Sequence, residues 1–135
     1  MEGRSIPRIL MVDDDPLITS LLSKLLIAEG YNVIAENDSS KAIEVALREL
    51  PDLICLDLMM PQPDGFRLSR MLREESTFIK TPIIIISALD DDDSRAVAFG
   101  AGANEYLTKP FNPGELNDKI QDLFHGKELG LYNME

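Results

Sequence analysis

At 135 residues, with 44% hydrophobic and 27% charged side chains, the chain has the size and balance of one globular domain with a buried core. Its net charge of −11 and the lack of a basic patch argue against direct contact with nucleic acid or an anionic membrane. No apolar run approaches the roughly 18 residues of a membrane span, Met1–Arg8 has no apolar signal core, and a lone cysteine, Cys55, forms no internal disulfide, so a cytoplasmic protein is expected.

Short apolar runs alternate with longer amphipathic stretches five times along the chain. Ile9–Val12 is a four-residue apolar run that stops at aspartates and reads as a buried strand. Pro16 suits the first turn of a helix, with Asp15 as its cap. Leu17, Ile18, Leu21, Leu22, Leu25 and Leu26 then recur at helical spacing until Gly30. Tyr31–Ala35 reads as a second strand. Asp38, Ser39 and Ser40 offer caps for a helix through Leu47 that stops before Pro51. Leu53–Leu56 is the third strand, closed by Asp57, and Met59 to Gly65 is a loop by its Pro and Gly content. A helix from Phe66 to Glu74 turns Phe66, Leu68, Met71 and Leu72 inward. The fourth strand, Ile83–Ile86, runs into Ser87. A helix over Asp92–Phe99, a short strand over Glu105–Leu107 and a last helix opened by Pro113 complete the pattern.

Such alternation predicts an α/β fold, a doubly wound parallel sheet with helices on both faces. The first, third and fourth strands are expected at its centre and the second at an edge. Residues 8–125 form the predicted domain, flanked by flexible ends at 1–7 and 126–135.

The strand ends carry the chemistry. In an open parallel sheet the carboxyl ends of the strands share one edge, where ligands bind. That edge gathers Asp13 and Asp14 after strand one, Asp57 after strand three, Ser87 after strand four and Lys109 after strand five. Three carboxylates crowded together need positive compensation, and Lys109 supplies one charge. Oxygen-only ligands favour Mg²⁺ or Mn²⁺ for the remainder. A cation in a carboxylate cup, beside a lysine and a hydroxyl, is an arrangement that binds a phosphoryl group and presents a carboxylate for in-line attack.

Taken in order, Ile9 to Pro16, Asp52 to Pro61 with Asp64-Gly65, Ile83 to Ala88, and Glu105 to Phe111 resemble the receiver domain of two-component response regulators. In length the chain resembles the stand-alone chemotaxis-type members. The resemblance covers roughly residues 8–125. It implies a flavodoxin-like sheet of five strands in the order 2-1-3-4-5 with five helices. It also implies Asp57 as phosphoacceptor and Asp13, Asp14, Asp57 and the backbone carbonyl of Met59 as ligands of Mg²⁺ (or Mn²⁺). Lys109 and Ser87 would contact the phosphoryl group. Ser87 and Tyr106 would form the switch, the Tyr106 ring turning inward as Ser87 moves.

The implied donor is a histidine kinase or phosphotransfer protein, and the implied output is a protein partner bound through the face of helix 4, strand 5 and helix 5. The domain would promote only its own phosphorylation and dephosphorylation, rather than act as a turnover enzyme. With Lys119 beside Asp118 on the last helix, a monomer or weak dimer is expected.

Two readings compete. Asp13-Asp14-Asp15 superficially resembles the nucleophile motif of haloacid-dehalogenase-like phosphatases, with Asp13 attacking. However, Leu17 stands where that family has Thr or Val, and no acidic pair follows Lys109. A binding module that has lost phosphorylation would lack one of the acidic pair, the acceptor or the lysine, and all are present. Taken singly, the features have plainer readings: Ser87 as a helix cap, Lys109 as a surface charge, Tyr106 as packing, and Asp90–Asp93 as a solvated helix start.

Overall fold

The computed structural model describes residues 6–128. Five strands, β1 (Arg8–Val12), β2 (Asn32–Glu36), β3 (Leu53–Asp57), β4 (Ile83–Ser87) and β5 (Glu105–Thr108), pair in parallel in the order β2-β1-β3-β4-β5. Helices α1 (Pro16–Ala28), α2 (Ala42–Glu49), α3 (Gly65–Glu74), α4 (Asp92–Gly100) and α5 (Pro113–Glu128) connect and follow them. The three most apolar strands are central and β2 is an edge, because only strands covered on both faces can be apolar throughout.

Side-chain alternation along the strands divides the core into two layers. Leu10, Val12, Ile54, Leu56, Ile83 and Ile85 face α2, α3 and α4. Ile9, Met11, Cys55, Ile84 and Ile86 face α1 and α5. Each fully buried isoleucine or leucine contributes about 1.5–3 kcal/mol, so the sheet is the main store of stability. Burial also pushes the Cys55 thiol up to about 12, which keeps it protonated and inert.

Local signals set the ends of the elements. Asp15 caps α1 by accepting from the Leu17 N–H at 2.9 Å, with Pro16 in the first turn. Asp38 caps a single 3₁₀ turn, Ser39–Lys41, that precedes α2. Gly30, at φ +101°, lets the chain reverse into β2 where a side chain would be strained. Leu50 ends α2 in the left-handed region just before Pro51.

The structure departs from the sequence reading in three places. The apolar residues of α1 exceed what the sheet covers: Leu22 and Leu26 are buried, while Leu17, Leu21 and Ile27 are exposed. Phe66 packs against the core layer as expected, although half-buried, whereas Met71 is half-buried and outside that layer. The helix α5 runs through Gly126 to Glu128, so the expected flexible tail does not begin at 126. The remainder of that segment, 129–135, and residues 1–5 lie outside the described residues. Pro7 is tied in, its carbonyl accepting from the Asn32 N–H at 2.9 Å.

A half-buried arginine braces the half of the sheet below α4. The Arg73 guanidinium donates to the carbonyls of Gly102 (2.8 and 2.9 Å), Phe78 and Thr81 (2.7 Å) and to Asn104 Oδ1 (2.9 Å). Ser69 adds a bond to the Ala101 carbonyl at 2.8 Å. Together they fix the α4–β5 connection to α3, and satisfy carbonyls that burial would otherwise leave unpaired.

Candidate functional site

Strand register brings the chemistry to one level. Val12 pairs with Leu56, Asp57 with Ile86 and Ser87 with Thr108, so the residues after β1 and β5 and at the ends of β3 and β4 meet on one edge of the sheet. Asp13 and Asp57 are buried and Asp14 is exposed, and one carboxylate oxygen from each lies within 4.8 Å of the others. Lys109 Nζ donates to Asp57 Oδ1 at 2.8 Å and lies 3.7 Å from Asp13 Oδ2.

The loops that present these groups are built for close approach. Gly65 opens α3 directly under β3: a Cβ there would stand 2.6 Å from the Asp57 carbonyl oxygen and 2.8 Å from the Leu58 Cα. Its N–H donates to the Leu58 carbonyl at 3.0 Å, which closes the β3–α3 loop. Asp64 caps α3 through the Arg67 N–H at 2.9 Å. Met59 lies in this loop, two residues after Asp57, with its side chain exposed. The Gln62–Pro63 and Lys109–Pro110 peptide bonds are cis.

Electrostatics follow from the crowding. Burial raises the Asp57 pKa, and Asp14 adds to the rise, while Lys109 opposes it. Burial also raises Asp13, helped by the charge of Asp57, against a bond from the Asp15 N–H. For Lys109, burial alone would lower the pKa. The hydrogen bond to Asp57 and the charges of Asp57 and Asp13 together outweigh it, so the amine is held more firmly protonated. One ammonium among three carboxylates leaves a negative deficit, and the donor set is all oxygen. These residues fit a hard divalent cation.

A second constellation adjoins the first. Ser87 is 1% exposed, and its Oγ accepts from the Leu89 N–H at 3.0 Å. The Tyr106 hydroxyl donates to the Leu89 carbonyl at 2.7 Å. The Tyr106 ring is 3% exposed, so it already lies inward in this structure. The Arg95 guanidinium stacks over that ring at 4.8 Å and binds Asp90 Oδ1 and Thr108 Oγ1, both at 2.8 Å.

The acidic run divides its labour as a helix start: Asp91 caps α4 through the Ser94 N–H, and Asp90 pairs with Arg95. On α5, Lys119 pairs with Glu105 of β5 at 3.1 Å. Arg95, Arg73, Asn37 and Thr19 are contributors that the sequence reading missed. They act through contacts between elements distant in sequence, which leave no periodic or spacing signal.

The chain matches the family model of the response regulator receiver domain over residues 9–121, and it belongs to that family. Among relatives, it is 35% identical over 128 residues to the alkaline phosphatase synthesis transcriptional regulatory protein PhoP of Bacillus subtilis, covering 95% of this chain and 52% of the relative. It is 39% identical over 118 residues to the DNA-binding dual master transcriptional regulator RpaA of Synechocystis, covering 87% and 49%. The chain therefore spans about half the length of these relatives.

Among solved structures, the chemotaxis protein CheY4 of Vibrio cholerae superposes with a TM-score of 0.85 at 29% identity, covering 88% of this chain and 99% of that one. The BeF3-activated receiver domain of Klebsiella pneumoniae RstA gives 0.79 at 33% identity, covering 84% and 95%. Receiver membership replaces the dehalogenase-like reading of Asp13.

Proposed function

We propose that Asp57 accepts a phosphoryl group from a phosphohistidine on a histidine kinase or phosphotransfer protein, and that the acyl phosphate then changes partner binding. The observation that carries this reading is the site itself: a buried carboxylate, bonded to Lys109 at 2.8 Å, with two further carboxylates within 4.8 Å on the ligand-binding edge of the sheet.

Asp13, Asp14, Asp57 and the Met59 carbonyl would hold Mg²⁺ (or Mn²⁺). The ion would supply the charge that lets an anionic carboxylate meet an anionic phosphoryl group. An Asp57 oxygen attacks phosphorus as the P–N bond breaks, and the imidazole nitrogen leaves with the electron pair. Lys109, already on Asp57 Oδ1, stands beside the carboxylate that receives the group. Hydrolysis of the acyl phosphate later restores Asp57, so the chain promotes its own cycle rather than acting as a turnover enzyme.

The switch follows from the Leu89 peptide. Ser87 uses one lone pair to accept from the Leu89 N–H and keeps its O–H for a phosphoryl oxygen. Movement of that hydroxyl displaces Leu89, which also holds Tyr106 and hence the covering Arg95. The face of α4, β5 and α5 thereby reads the state of Asp57, and differential contacts with the phosphoryl group bias the equilibrium.

Donor contact fits the rim beside Lys109. An apolar groove between α1 and the β5–α5 connection is lined by Ile18, Leu21, Leu25, Pro110 and Phe111 together with Lys109, the residue that bonds Asp57. A cytoplasmic setting and a monomer or weak dimer complete the proposal. Incubation with a phosphorylated histidine kinase tests it: label should move to this chain in a hydroxylamine-labile form and be absent from Asp57→Asn. Stable label, or label retained by that variant, would contradict an acyl phosphate at Asp57.

A further inference from the structure

Asn37 directly follows β2. Its Nδ2 donates to the Asp13 carbonyl at 2.8 Å and to the Thr19 Oγ1 at 2.9 Å. Thr19, buried in α1, donates a hydrogen bond from its own hydroxyl to the Pro16 carbonyl at 3.1 Å. Both N–H groups of the amide are used, and the hydroxyl both accepts and donates. A closed chain of bonds thus runs from the end of β2, through the Asp13–Asp14 peptide, to the first turn of α1.

Two more bonds complete the grip. The Asp13 N–H donates to the Glu36 carbonyl at 3.2 Å, and the Asp15 N–H donates to Asp13 Oδ1 at 2.9 Å. Asp13 is therefore held at its N–H, its carbonyl and its carboxylate. The carbonyl bond matters most for Asp14, because it orients the peptide plane from which that exposed residue departs. Without such a hold, mutual repulsion of three carboxylates within 4.8 Å would swing the loop away from Asp57.

We propose that Asn37, acting with Thr19, is a positioning residue for the metal cup: it fixes the Asp13–Asp14 peptide so that both carboxylates face Asp57 before a cation arrives. It acts through Asp13 and is not itself a ligand. The inference rests on reading Asp13, Asp14 and Asp57 as a divalent-cation site, and the test separates the two.

Mg²⁺ affinity is measured by calorimetry, and Mn²⁺ affinity by electron paramagnetic resonance, on the full chain and on Asn37→Ala, Thr19→Val and Thr19→Ser. Loss of an outer-shell partner of a metal ligand weakens affinity about 10- to 100-fold, and that is expected for Asn37→Ala and Thr19→Val. Thr19→Ser keeps the hydroxyl and is expected to match the wild type. Phosphorylation by acetyl phosphate at saturating Mg²⁺ should recover to within about twofold in all three, as for a loss confined to ground-state binding. Asn37 is exposed, and Thr19→Val conserves volume, so folded variants are obtained by at least one route. Wild-type Mg²⁺ affinity in folded Asn37→Ala and Thr19→Val, with only a lower melting temperature, would overturn the inference. A wild-type chain that binds no Mg²⁺ would overturn the metal reading, and the inference with it.

Discussion

Tyr106 and Leu89 are joined by a 2.7 Å hydrogen bond from the phenol to the main-chain carbonyl, and the N–H of the same Leu89 is spent on Ser87. One residue therefore connects the Ser87 hydroxyl at the end of β4 to the ring that packs under α4. Ser87→Ala should still accept phosphate on Asp57, since Ser87 is not the nucleophile, yet it should transmit little. Amide hydrogen exchange over 89–95 should change on phosphorylation in the wild type and stay nearly constant in Ser87→Ala. Tyr106→Phe loses one neutral hydrogen bond, about 1 kcal/mol, and should raise exchange at Leu89–Arg95 even before phosphorylation. Equal exchange responses in wild type and Ser87→Ala would remove the Leu89 link.

The carboxylate cup makes the metal-free protein pH-sensitive in a definite direction. Burial raises the native pKa of Asp57 and Asp13 above the unfolded value of 3.8. A group raised in the native state contributes stability that is complete below its unfolded pKa and is lost as pH rises through the folded pKa. Near neutrality, then, both carboxylates destabilise the metal-free fold, and Asp13→Asn should raise its melting temperature. Mg²⁺ should reverse the penalty at neutral pH, by about 2.7 kcal/mol at a hundred times its dissociation constant, and should do less as pH falls toward 4. Thermal melts across pH 4–8, with and without Mg²⁺, check both signs.

Gly65 lies where a methyl group would meet the Asp57 carbonyl oxygen at 2.6 Å, and the obstacle is backbone, which cannot rotate away. Gly65→Ala should cost about 1–3 kcal/mol, the range for overpacking, and should also slow phosphorylation by pushing the β3–α3 loop off its position. Urea unfolding combined with the acetyl phosphate rate measures both. A variant that is destabilised but phosphorylates normally would show that the loop absorbs the methyl without disturbing Asp57.

Leu21 is 54% exposed on the groove beside Lys109. Leu21→Asp should reduce transfer from a phosphorylated histidine kinase by about tenfold, the loss of one apolar anchor worth more than about 1 kcal/mol. The rate with acetyl phosphate should be unchanged, because a small donor needs no docking surface. Equal losses with both donors would place the effect in the site rather than the groove.

The sheet and the strand-end residues were legible because their signals are local and repeated. Ile83–Ile86 announces a buried strand by itself, and Asp57 closes another. The parallel arrangement then brings Asp13, Asp57, Ser87 and Lys109 to one edge without further information. What stayed hidden depends on single side chains crossing between elements. Asn37 and Asp13 are 24 positions apart, and Arg73 and Asn104 are 31 apart. No periodicity links either pair. Tyr106 enters the switch by resemblance alone, and its inward ring is covered by Arg95, a helix residue that composition would assign to solvent. The surplus leucines of α1 fitted a helical pattern but not a single buried face, and only the packed structure separates Leu22 from Leu21.

The most direct test of the account is the intact mass of the chain after incubation with acetyl phosphate, with and without Mg²⁺, beside Asp57→Ala. The account predicts a gain of one phosphoryl group that requires the metal and disappears in the variant. A gain that persists in Asp57→Ala, or none in a folded wild-type chain shown to bind Mg²⁺, would contradict it.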